Sequence, residues 1–97
     1  MPAAMASIRY VRAKELLEAK LGDELVALDV EGGHCFGFNA VAADIWQLLD
    51  RPIAFDALHH ALTGQYEVDA DECRAELRSC LADLEAQGLV RIVSGDG

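Results

Sequence analysis

Two adjacent glycines, Gly32-Gly33, divide two short apolar runs, and a helix signal follows the second run at once. Few folds accommodate that order. Ahead of the glycines, Leu25, Val26, Leu28 and Val30 make residues 24–30 a strand with at least one buried face. Gly32-Gly33 predicts a two-residue hairpin turn, because both glycines can take positive φ without a Cβ penalty. Residues 34–38 resume the extended pattern, with Phe36 and Phe38 on one face and Cys35 on the other. Asn39 is a good N-cap, and Val41, Ile45, Leu48 and Leu49 follow at helical spacing.

The rest of the chain extends this block. Residues 1–7 and 94–97 read as loose ends, and residues 8–11 as a short extended segment. Residues 13–21, AKELLEAKL, are strong helix formers, yet they run straight into the hairpin signal Gly22-Asp23. Pro52 ends the first helix. Residues 54–62 form a short second helix with Phe55, Leu58 and Leu62 on one face, and Thr63-Gly64 is expected to stop it. Tyr66 and Val68 read as core plugs. Asp69 caps a long third helix in a capping-box-like pair with Glu72. Cys73, Leu77, Cys80, Leu81 and Leu84 make one apolar stripe along it, Gly88 stops it, and residues 89–93 form a terminal strand. Strands followed by three helices and a last strand predict a single α+β domain, winged helix-turn-helix-like.

Composition narrows the function. With 53% hydrophobic residues in 97, one core forms without staples. The three cysteines are odd in number and lack metal-ligand spacing, so they read as small apolar groups in a reducing compartment. No apolar run approaches the ~20 residues of a membrane span. No basic segment precedes an apolar one at the start, so the cytoplasm is expected. A net charge of −9 with scattered basic residues repels nucleic acid and anionic membranes.

The run LDVEGGHCFGFNAVAADIWQLLD, a short helix, YEVD, and a long helix ending LADLEAQGLVRI together resemble the PqqD family. Its members are RiPP recognition elements, small domains that bind the leader peptides of ribosomally made, post-translationally modified peptides. The likeness covers residues 14–92. It is strongest at Leu28-Asp29, Phe36 to Asn39, Ile45-Trp46, and the spacing of Leu81, Leu84, Gly88 and Leu89.

The resemblance implies a three-stranded antiparallel sheet packed on three helices, with residues 16–21 as the first strand against their helix propensity. It also implies that a leader peptide adds as a further strand to the edge at residues 33–38, beside the wall formed by residues 69–87. The implied contacts are Gly33, His34, Cys35, Phe36, Gly37 and Phe38 on the strand, and Cys73, Arg74, Leu77, Arg78 and Leu81 on the helix. Arg74 and Arg78, four apart and flanking the apolar stripe, read as ordinary solvated residues or, alternatively, as partners for acidic leader residues. Where the family often has Tyr-Tyr or Tyr-Phe, this chain has His34-Cys35-Phe36, which implies a groove shaped for a different side chain. The implied partners are a precursor leader peptide and a modifying enzyme or leader peptidase, as in lasso-peptide biosynthesis, with no cofactor. The alternative is a PQQ-type chaperone serving a radical SAM enzyme. Some relatives are dimeric, so a second copy is a further candidate partner.

Other chemistry finds little support. His34 and Cys35 are neighbours on a strand and point to opposite faces, so they do not form a nucleophile pair. His59-His60 reads as a solvated pair near Asp56, not a metal site, and Asp29 and Glu31 read as solvated turn residues. Trp46, Phe36, Phe38 and Phe55 read as core, with Phe36 or Phe38 best placed to line a groove. A winged-helix DNA-binding regulator would present Asp69, Asp71, Glu72, Glu76, Asp83 and Glu85 to phosphates of the same sign.

Overall fold

The structure, a computed structural model, describes residues 8–94; of the loose ends expected at residues 1–7 and 94–97, Ser94 is the last residue of a strand and the rest lie outside the described residues. The order is β1 (Ile8–Arg12), β2 (Leu17–Leu21), β3 (Glu24–Asp29), β4 (His34–Phe38), α1 (Ala40–Leu48), β5 (Ile53–Ala54), α2 (Phe55–Gln65), α3 (Ala70–Ala86) and β6 (Val90–Ser94). The fold is α+β.

The strand block forms the antiparallel sheet β2-β3-β4. Residues 17–21 are strand despite their helix-forming composition. Gly22, at φ 66°, occupies the first of two turn positions between Leu21 and Glu24, the arrangement of a type II′ hairpin. Tertiary contact then fixes the choice: Glu18 Oε2 accepts a 2.7 Å hydrogen bond from Trp46 Nε1. Paired residues share a face, and Leu25↔Phe38 and Ala27↔Phe36 are paired. Leu25, Ala27 and Phe38 are accordingly buried against the helices. Leu17 and Leu28, also paired, face outward and are exposed.

The expected marginal strands belong to a second sheet, β5-β1-β6. Tyr10 pairs with Ile53 on one side and Ile92 on the other. Trp46 links the two sheets. Its ring is fully buried and stacked on Phe38 at 5.6 Å. The Arg12 guanidinium lies 4.5 Å over that ring, donates to the Trp46 carbonyl at 2.8 and 3.1 Å, and meets Glu18 at 3.5 Å. Burying an aromatic of this size is worth several kcal/mol only when its polar edge is satisfied, and here it is.

Three local expectations need correction. The β3–β4 turn spans residues 30–33, and of its glycines only Gly33 has positive φ, at 70°. Gly32 serves a different purpose: a Cβ there would stand 2.6 Å from the Asp29 carboxylate and displace it. Asp29 is not solvated but buried, accepting from Lys14 Nζ at 3.0 Å and the Gly32 N–H at 3.2 Å. The Lys14 contact, then the Gly32 bond, holds its carboxyl below the ordinary aspartate range. Thr63-Gly64 does not stop α2. Thr63 Oγ1 turns back to the carbonyls of His59 and His60, and the helix continues to Gln65, where the Tyr66 N–H closes on Leu62.

Candidate functional site

The outer edge of β4 has no strand partner among the described residues. A cleft of about 660 Å³ opens beside it, between β4 and α3. Local sequence signals build both walls. Asn39 ends β4 and caps α1, its Oδ1 accepting the Ala42 N–H at 2.9 Å, which turns the chain sharply away from the edge. Asp69 caps α3 by accepting from the N–H groups of Asp71 and Glu72 at 3.1 Å. The apolar stripe of α3 then divides. Leu77, Leu81 and Leu84 are buried, while Cys73 and Cys80 are half-buried.

Phe36, Phe38, Ile45, Leu62, Leu77 and Leu84 supply apolar lining, and Asn39, Glu72, Glu76, Ser79, Asp83 and Gln87 supply polar lining. Tyr66 also lines the cleft. It is half-buried, its hydroxyl donates to Asp44, and Gln65 reaches the same carboxylate at 3.0 Å. The bond to Asp44, then burial, lifts the Tyr66 phenol above its usual range, so it stays a neutral donor. Val68, expected as a core plug, is instead 50% exposed and lines the cleft.

Of the residues singled out in sequence, the structure gathers Cys35, Phe36, Gly37, Phe38, Cys73 and Leu77 into this cleft. Gly33 precedes β4 and His34 begins it, both outside the lining, and Leu81 is core. Arg74 and Arg78 turn away from the cleft towards α2. Their guanidinium carbons lie 5.6 and 5.1 Å over the Phe55 ring, and Arg74 meets Asp56 at 3.6 Å. The apolar stripe fixed which face of α3 points inward, but not which neighbour its flanks would find. Glu72, Glu76, Cys80 and Asp83 were not singled out as site residues. They follow one another at intervals of four, four and three residues, the spacing that places them on one face of α3.

All three cysteines are free thiols and all line the cleft. Burial, then Asp83, pushes the Cys80 thiol up, away from reactivity. His59, expected to be solvated, is half-buried, stacked on Phe55 and 2.9 Å from the Ala70 carbonyl through Nε2. Among the described residues no group of His, Cys, Asp and Glu is placed to hold a metal ion, and no helix is long and apolar enough to cross a membrane.

Residues 24–90 match the family described as coenzyme PQQ synthesis protein D, PqqD. The chain belongs to the PqqD family. No curated protein sequence is significantly similar to it. Two solved structures share the PqqD-like fold. One is TbiB1 in complex with the TbiA(beta) leader peptide, 28% identical at a TM-score of 0.73, with 84% of this chain and 94% of that chain covered. The other is a lasso peptide synthetase B1 complexed with the leader peptide, 23% identical at a TM-score of 0.71, with 84% and 96% covered. The match to PqqD begins at β3 and ends at the start of β6, so it spans the β3–β4 hairpin and all three helices that enclose the cleft.

Proposed function

We propose that this PqqD-family chain is a non-catalytic recognition module that binds the leader segment of a ribosomally made precursor peptide. The leader adds as a strand along the outer edge of β4 and places alternate side chains in the cleft against α3. The observation that carries this reading is the unpaired β4 edge lying beside a partly apolar cleft. An edge offers a row of main-chain donors and acceptors, and pockets beside it add selectivity. The 28%-identical neighbour, TbiB1 in complex with a leader peptide, supports the same partner class for this chain.

In this reading Cys35, Phe36, Gly37, Phe38, Cys73 and Leu77 contact the guest, with Gly33 and His34 framing its entry. The whole chain acts as one domain, whose framework reaches back beyond residue 14 to β1. The module hands its guest to a modifying enzyme or leader peptidase. The TbiB1 likeness favours the lasso-peptide route, and the family match keeps the PQQ-type route with a radical SAM enzyme as the alternative. Duplex DNA is disfavoured, because α3 presents Glu72, Glu76 and Asp83 to any ligand of the cleft.

The test is fluorescence anisotropy with the labelled leader of the precursor encoded beside this gene. Saturable binding at or below about 10 μM is expected, with amide shifts concentrated in β4 and the cleft-facing side of α3. Absence of binding at ten times that concentration contradicts the reading.

A further inference from the structure

The cleft has a sign. Glu72, Glu76 and Asp83 line it, and among the described residues no Lys, Arg or His does. Among the described residues none of the three carboxylates takes part in an ion pair. The two cations nearest in sequence, Arg74 and Arg78, are engaged on another face of α3 by Phe55 and Asp56. An acidic guest would therefore meet three unpaired carboxylates and no compensating charge.

Spacing adds to sign. At 1.5 Å per residue, Glu72 and Glu76 are separated by about 6 Å along α3. Side chains on one side of an extended guest recur every ~6.7 Å. A guest running alongside α3 would set two successive cleft-facing residues opposite two successive carboxylates, with Asp83 further along the same helix.

We propose that the cleft selects a basic guest, whose strand carries Lys or Arg at α3-facing positions opposite Glu72, Glu76 and Asp83. This rests on the strand-addition reading and names the charge class of its ligand. The net charge of −9 acts in the same direction, drawing a cationic segment towards the protein before it docks.

The experiment uses the full chain and the labelled leader of the neighbouring precursor. Affinity is measured at low and high salt for the unaltered protein, for Glu76→Gln/Asp83→Asn, and for Glu85→Gln. Glu85 is exposed on α3 but outside the cleft lining. Each rim pair contributes a few-fold, so the double variant is expected to bind on the order of tenfold more weakly. It also loses much of the salt dependence, while Glu85→Gln stays within about twofold. A rescue guards against misfolding: Glu76→Lys weakens the native leader but regains affinity for a leader whose facing Lys or Arg is changed to Glu. Tight binding that ignores both salt and the double variant overturns the inference and leaves strand addition standing. No binding by the unaltered protein overturns both.

Discussion

The sheet β2-β3-β4 has two outer edges, and they differ in what lies beside them. Along β4 the edge adjoins the α3 cleft, with Phe36 half-buried and Phe38 buried. Along β2 every residue is exposed, Leu17 and Leu21 at 64% and 63%, and β2 contributes no residue to the cleft. Both edges present unpaired backbone groups, so backbone hydrogen bonding alone cannot distinguish them. Selective capture needs a second surface that reads side chains; β4 has the cleft of about 660 Å³ against α3, whereas the smaller hollow of about 350 Å³ near β2 takes only Leu17 from that strand. The charged Lys20 on β2 meanwhile blunts an edge that would otherwise invite indiscriminate pairing.

The largest expected effect removes what holds both edges. Trp46 stacks on Phe38 of β4 and donates to Glu18 of β2. Trp46→Ala should cost about 3–5 kcal/mol in urea denaturation and loosen the two edges together. Loss confined to one edge, seen by amide exchange, would break the symmetry argued for this residue. Next comes the side-chain contrast. Phe36→Ala should weaken leader binding by about 1–2 kcal/mol in calorimetry, whereas Leu21→Ala on β2 should change it by less than about 0.5. Equal losses would mean that the guest does not discriminate between the edges.

A smaller effect is chemical. Cys35 lies exposed on β4, while burial raises the thiol pKa of Cys80. Iodoacetamide at mildly alkaline pH should therefore label Cys35 before Cys80, and bound leader should slow labelling at Cys35. The smallest effect concerns the turn that leads into β4. Asp29 titrates below its unfolded value, so the unfolded chain takes up the proton more readily. Its contribution is fully present above the unfolded pKa and is lost as pH falls through the lowered folded one. Lys14→Met should flatten that acid limb in a pH series of denaturation curves, with little change near neutrality.

What could be read from sequence follows from range. The caps at Asn39 and Asp69, the stop at Gly88 and the alternation of Phe36 and Phe38 are local, and each stands where its own neighbours dictate. The cleft was reachable because the third-helix stripe and the β4 pattern each fix a face. Pairing across the chain was not. Nothing near Tyr10 announces Ile92, and two-residue β5 is too short to carry a pattern. Gly32 looked like a turn residue, yet its cause is a carboxylate three positions back. Arg74 and Arg78 looked like ligand contacts because a helix wheel gives their direction but not the Phe55 ring that meets them.

Strand addition at β4 is tested most directly by scanning the leader with single backbone N-methyl groups and measuring affinity for the full chain. Each methyl removes one guest donor and leaves its side chain in place. If the guest joins β4, loss should alternate, strong at every second residue of the bound stretch and slight between. Uniform loss, or none, would contradict the account.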